Sequence, residues 1–372
     1  MNILGIAVGV TGLLFILAFM WMLMLAARTK REEQEKKRRE IAYLKALEES
    51  KKTEYEDRLK KASHGDLPTI LYFAKEAERT SLKNANRKAI KEALHWYLKA
   101  AELDNIAGMH GVVRLSKRMP NDMVAKESSR FWQLNIKAKE GDVPSIFQVG
   151  LAYFHGRGAS KNIPKAIKLI QEAAQEKNID AIIFLGDWFS SPKNNGKNFR
   201  QAINWYEQAA QLKSNAGRIK LGQCYLKGIG TEPNHDKGVY WLERAAEKGD
   251  VTAMLAAGEA WKNLYTSNGT AIAYIWLFIA AHFHNEPAKI LRDEVSAEIS
   301  VDIIVGLQKI TKPMIKKIEA KAISTHSIIK ALNRLYNRSV PFLESGEEIG
   351  QSPEASTEDP DQELGSNQPD IT

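Results

Sequence analysis

Eight histidines and one cysteine are where metal or nucleophilic chemistry would have to start in this chain. The histidines are His64, His95, His110, His155, His235, His282, His284 and His326. His282 and His284 stand two apart, a spacing that diverges on a helix and does not converge on one ion. Zinc sites need Cys, His or carboxylate ligands at compatible spacings, and no such set occurs, so no metal ligand is assigned. Cys224 sits beside Tyr225 in a helical pattern with no local His or Asp partner. It reads as a small buried hydrophobe, not a nucleophile. As the sole cysteine it excludes an internal disulfide framework. His155-Gly-Arg-Gly158 and Gly228-Ile-Gly230 look like fragments of a phosphate loop, but they lack the preceding strand and the following spacing. The expectation is a chain that is not an enzyme, with no catalytic residue and no cofactor.

The elements that carry these residues recur. Val149-Gly150, Leu185-Gly186, Leu221-Gly222 and Ala257-Gly258 lie 36 residues apart. Ala173-Ala174, Ala209-Ala210, Ala245-Ala246 and Ala280-Ala281 follow at intervals of 36, 36 and 35. Leu169, Trp205, Trp241 and Trp276 precede them in step. A period in this range marks a solenoid or array. In the clearest unit, Asn215–Asp250, a first helix carries Ile219, Leu221, Tyr225 and Leu226. Gly228 is placed to end it in the left-handed conformation. Asp236 is a candidate N-cap for a second helix, which carries Val239, Trp241, Leu242, Ala245 and Ala246. Glycine and alanine let the two helices approach closely, with the tryptophans filling the core beside them. One such pair cannot bury its apolar face, so neighbours must stack on it.

The pattern LG-x2-Y-x2-G-x-G, then W-x4-AA-x2-GD, resembles the Sel-one-like repeats, relatives of the tetratricopeptide repeat. The resemblance is strongest over Leu221–Asp250 and clear over Phe184–Ala210 and Val149–Ala174. It weakens over Ile106–Asp142, where Arg114 replaces the glycine, and over Gly65–Glu102. After Asp250 the glycine turn is lost. The resemblance implies an all-α fold, an α-solenoid of antiparallel helix pairs, acting as an adaptor in bacterial envelope, signalling or quality-control assemblies. The single cysteine sets the chain apart from the cysteine-stapled secreted branch of that family.

The flanks are read from composition. Ile3–Ala27 has no charged residue and is long enough to cross a bilayer core of about 30 Å. With only Met1 and Asn2 before it, an anchor is favoured over a cleavable signal. Arg28, Lys30, Arg31, Lys36, Lys37, Arg38 and Arg39 follow closely. The positive-inside rule then sets a single-pass protein of the bacterial inner membrane, with its N-terminus outside and its repeats in the cytoplasm. Repeats facing the periplasm and regulating cell-wall enzymes are the alternative. Gly5-x-x-x-Gly9 offers a homodimer face in the membrane.

The domain expectations are an anchor at 1–27, a charged helical stalk at 28–62 and repeats at 63–281. A capping helix at 282–311, a basic amphipathic helix at 312–338 and an acidic disordered tail at 339–372 follow. The stalk pairs Glu32–Lys36, Glu33–Lys37 and Glu35–Arg39. It reads as solvated, with a short coiled coil or a helix lying on the first repeat as alternatives. The basic helix, Met314 to Tyr336 after a break at Pro313, reads as a cap with a basic outer face or as a membrane-surface or acidic-partner site. A pI of about 9.2 invites a nucleic-acid reading, but no reading motif accompanies the basic residues, so no nucleic acid is expected. The expected function is a membrane-anchored scaffold that binds a partner protein. Polar residues of the first helices, Gln148, Asp187, Arg218, Lys220 and Gln223, are the candidate contacts.

Overall fold

A computed structural model describes the backbone of residues 3–84 and 87–343, without the side chains of 3–11, 13–15 and 84. Every element among the described residues is a helix, and the chain divides into two compact units at 132/133. In the first unit, α1 (Ile3–Ser63) leads into the antiparallel α2 (Leu67–Asn84) and α3 (Arg87–Glu102), followed by α4 (Ile106–Ser116). α5 (Met123–Lys139) spans the division. The second unit is a run of pairs: α6 (Val143–His155) with α7 (Ile163–Gln175), α8 (Ile179–Ser190) with α9 (Phe199–Gln211), α10 (Asn215–Lys227) with α11 (His235–Glu247), and α12 (Val251–Lys262) with α13 (Ser267–His282). α14 (Glu286–Ser296), α15 (Val301–Glu319) and α16 (Ser327–Leu335) follow.

The repeat helices α6 to α12 each start where a short polar side chain satisfies an orphan backbone N–H. Asp142, Asn162, Asn178, Asn198, Ser214, Asn234 and Asp250 each accept from the amide three residues on. The cap of α11 is therefore Asn234. Asp236, expected there, lies in the first turn, where its charge complements the helix dipole. Gly156 and Gly228 end α6 and α10 at φ +73° and +67°, as the turn requires.

The glycines sit where first and second helices cross. A Cβ on Gly150 would stand 2.6 Å from Ile170, and one on Gly186 would stand 2.4 Å from Tyr206. At Gly222 the obstacle is backbone: the carbonyl oxygen of Gly238 at 2.8 Å, with Leu242 at 2.9 Å. The alanine pairs of α7, α9 and α11 are buried, as is Ala280, while Ala281 is half-buried. Trp241 and Trp276 are core residues, but Trp205 is only half-buried.

The flanks differ from expectation in several places. The capping helix expected at 282–311 is not one helix. The chain breaks at 297–300 because Val295 and Leu307 turn into the core from two separate helices. Pro313 lies inside α15 instead of ending a helix. Burial of Leu307, Ile310, Met314, Ile315 and Ile318 on both sides of it outweighs the lost backbone hydrogen bond. Met314–Tyr336 is likewise not one helix. α15 stops at Glu319, Lys321 turns left-handed, and α16 begins at Ser327. The apolar sides of α15 and α16 are buried in the second unit, with Ile328, Ile329, Leu332 and Leu335 in its core.

α1 is one unbroken helix. The end of the stalk lies on α2, with Tyr55 edge-on to Phe73 and Arg58 over Tyr72, while Ile41 and Leu44 face solvent. Of the expected stalk pairs, Glu35–Arg39 forms, at 3.7 Å. Among the described residues no helix is long and apolar enough to cross a membrane. The side chains of 3–11 and 13–15 in the span expected at Ile3–Ala27, the homodimer face expected at Gly5 and Gly9 among them, and the tail from Glu344 lie outside the described structure.

The close crossing of α10 and α11 gives a direct test. Gly222→Ala is expected to lower stability by about 1–3 kcal/mol through overpacking, read as an earlier unfolding midpoint in urea. An unchanged midpoint would mean the crossing tolerates a methyl group.

Candidate binding surface and polar clamps

The candidate contacts do not share one environment. Gln148 and Asp187 are exposed, and Lys220 and Gln223 are half-buried. Arg218 is 1% exposed and is no surface contact. It stands 36 residues from Ile182 and from Met254, a position that points into the seam between pairs. Its stem fills that seam and its head donates to Asn215 Oδ1 at 3.1 Å.

Asp187 and Lys220 are brought together. Lys220 Nζ lies 2.9 Å from Asp187 Oδ1, and the Tyr206 hydroxyl donates to the same oxygen at 2.6 Å. Burial first, then this bond to the carboxylate, raises the Tyr206 pKa and keeps the phenol protonated. The clamp ties α8 to α9 and to α10. The first unit repeats it: Tyr97 donates to Glu78 Oε2 at 2.7 Å, and Arg114 grips both Glu78 oxygens at 2.8 Å. Arg114 holds the Glu78 carboxyl below its usual range against the opposing effect of burial. Burial and the bond to Glu78 push Tyr97 up to about 12. In both clamps the tyrosine follows the acid by 19 residues. Trp96-Tyr97 and Trp205-Tyr206 were visible in the sequence as aromatic pairs, but only this second spacing would have found their partners.

A third polar cluster was not foreseen. Glu243 is fully buried, yet Oε1 accepts from Trp261 Nε1 at 2.8 Å, Trp276 Nε1 at 3.0 Å and Arg338 at 2.6 Å. Oε2 accepts from Arg338 at 2.8 Å, and the guanidinium lies over the Trp261 ring. One turn on, Glu247 Oε1 accepts from the Ile329 amide at 2.8 Å and so caps α16. Arg244 lies 3.6 Å from its other oxygen. Tyr240 meets His326 at 2.9 Å. The positions 36 residues earlier, Glu207, Gln208 and Gln211, are exposed. The charges on α11 are buried because the segment 326–343 covers them, a contact across more than 80 residues that no local pattern announces.

On α9 the matching face is open. Gln171, Phe189, Gln201, Asn204, Trp205 and Gln208 line a shallow cleft of about 210 Å³. This is why Trp205, expected in the core, is half exposed. Elsewhere, Cys224 is buried and its thiol is pushed up to about 11 by that burial, so it stays protonated at neutral pH. Among the described residues no group of three His, Cys, Asp or Glu side chains is arranged to hold a metal. His282 instead meets Glu319 at 2.8 Å.

Stacked antiparallel helix pairs with a 36-residue period define the second unit as an α-solenoid. The Sel1 repeat family model matches residues 87–105, 143–178, 179–214 and 216–250, and over those residues the chain is built of Sel1 repeats. The unmatched stretch between 105 and 143 is the one where Arg114 stands in the glycine position. The match ends where the glycine turn is lost.

Among solved structures, a Sel1 repeat protein from Oxalobacter formigenes is 26% identical, over 58% of this chain and 86% of that one, with a TM-score of 0.40. A protective antigen of uropathogenic Escherichia coli is 18% identical over 79% and 68%, with a TM-score of 0.32. A Klebsiella pneumoniae Sel1 repeat protein is 19% identical over 55% and 97%, with a TM-score of 0.26. No curated protein matches the sequence.

Burial raises the Glu247 pKa from 4.5 to about 7, against the lowering effects of the Ile329 amide and Arg244. The folded chain therefore holds this proton more tightly than the unfolded one. The associated stability is fully present below about 4.5 and is lost as pH rises through about 7. Relative to the parent, Glu247→Gln should gain up to about 3 kcal/mol at pH 8 and little at pH 4, measured by urea unfolding. A difference that does not change with pH would remove Glu247 from this role.

Proposed function

We propose that the chain is a membrane-anchored scaffold that binds a partner protein along the first helices of its repeats. Sel1 repeats in general act as protein–protein interaction scaffolds. The observation that carries the reading is a register. Leu151, Asp187, Gln223 and Glu259 recur every 36 residues on α6, α8, α10 and α12, and none of the four is buried. Gln148, Phe184, Lys220 and Ala256 form a parallel row, also outside the core. With helices about 8–10 Å apart, four of them present a strip of about 30 Å. That length suits a docked helix or extended peptide. Aliphatic, aromatic, amide and charged side chains alternate along it, which favours a protein segment over a uniformly charged polymer. The charge-free run Ile3–Ala27 and the cations after it support an inner-membrane anchor with the repeats on the cytoplasmic side.

Cross-linked co-purification from membranes tests the binding face. Gln148→Arg, Gln223→Arg and Glu259→Arg combined should lose the partner recovered by the parent, with the same thermal midpoint. Recovery of the same partner would move the binding face elsewhere. A C-terminal reporter active only outside the cytoplasm should be silent, and activity would reverse the orientation.

A further inference from the structure

One edge of the first unit sets exposed apolar side chains among cations. The end of α2, the start of α3 and the α4–α5 connection lie together. Arg118, after α4, donates to Ser81 Oγ near the end of α2 at 3.0 Å. Met119 and Ala125, flanking the α4–α5 turn, bury against Ile90 at the start of α3. Around this junction three large apolar side chains point outward: Leu82 is 69% exposed, Met123 66% and Val124 78%. Exposed cations surround them: Lys83, Arg87, Lys88, Lys91, Lys117 and Lys126. Among the described residues the nearby carboxylates are Glu92, Asp122 and Glu127, of which Asp122 caps α5, and Lys88 is itself engaged.

We propose that this edge docks on an anionic membrane surface. Cations alone would serve an acidic protein or a nucleic acid equally well. The three apolar side chains decide the matter, because a phosphate backbone gives them nothing to enter, while the headgroup–acyl boundary of a bilayer does. Each Lys or Arg near an anionic leaflet strengthens binding roughly fivefold. The direction of α1 agrees. Its last turns run antiparallel to α2, with Tyr55 on Phe73 and Arg58 over Tyr72. Its N-terminal stretch therefore projects on the side of the end of α2. The edge and that stretch face the same way. With α1 unbroken and rising about 1.5 Å per residue, Ala27 stands roughly 25 Å beyond the edge, so α1 must tilt strongly for both to meet one bilayer.

The full chain carries a fluorophore at Val124→Cys or, as a control at the opposite end of the helices, at Leu103→Cys. The parent, whose Cys224 is buried, is the labelling blank. The labelled chains are mixed with vesicles containing a headgroup-level quencher. Quenching at 124 but not at 103 is expected with phosphatidylserine vesicles. It should be absent with phosphatidylcholine alone, reduced by about 0.5 M salt, and lost in the combined Lys83→Glu, Arg87→Glu, Lys91→Glu and Lys117→Glu variant. Equal quenching at both positions, or none at 124, would overturn the proposal. So would binding to RNA or an acidic protein without quenching. Insertion of 3–27 by itself changes none of these differences.

Discussion

One contact sets the geometry of the repeats: a glycine of a first helix pressed against the second helix of its own pair. At Gly186 the ring of Tyr206 occupies the place of a Cβ, and at Gly222 the backbone of Gly238 does so. Dispersion falls off within about an ångström, so only this approach lets Leu221, Leu242, Ala245 and Ala246 meet without voids. The pair is still apolar on its remaining side, and burial requires the next pair. The 36-residue period is thus the length of chain needed to make one crossing and return for another. The carboxylate–tyrosine–cation clamps add direction to this packing. Apolar stacking is non-directional, whereas Tyr206, Asp187 and Lys220 fix which turn of α10 lies beside α8.

The end of the second unit solves a different problem. A stack of identical pairs leaves an open face at each end, and here α14, α15 and α16 close the C-terminal one. The closure is partly ionic. Glu243 is removed from water entirely but receives two indole N–H groups and a bidentate guanidinium, so its charge is met on both oxygens. A buried ion pair of this kind contributes little net stability relative to an apolar pair, but losing one partner is severe. Its consequence is positional: Arg338 has one place to go, and Glu247 marks where α16 must begin. The basic residues of this segment are thereby divided, with Arg338 inside the structure and Lys316, Lys330 and Arg334 on its surface.

The repeats were legible because every requirement on them is local. Small residues at a crossing, a glycine after a first helix and a polar cap before a second all fall within one period. The closure was not legible, for the same reason. Glu243 and Glu247 have the same spacing as exposed residues on α9, and only the returning chain makes them interior. Pro313 misled because a local rule was outweighed by burial on both sides of it. Arg218 misled because charge suggested a surface at a position that Ile146, Ile182 and Met254 mark as core. Of the candidate contacts, Gln148, Asp187, Lys220 and Gln223 stay outside the core, but Asp187 and Lys220 are already joined to each other.

The central claim is that each crossing supports its neighbours as well as its own pair. Residue-resolved hydrogen exchange on Gly186→Ala measures this directly. The account predicts faster exchange throughout α8 and α9 and onward into α10, since the added methyl displaces Tyr206 and with it the bond to Asp187 and the clamp to Lys220. Acceleration confined to α8, with α9 and α10 unchanged, would contradict it.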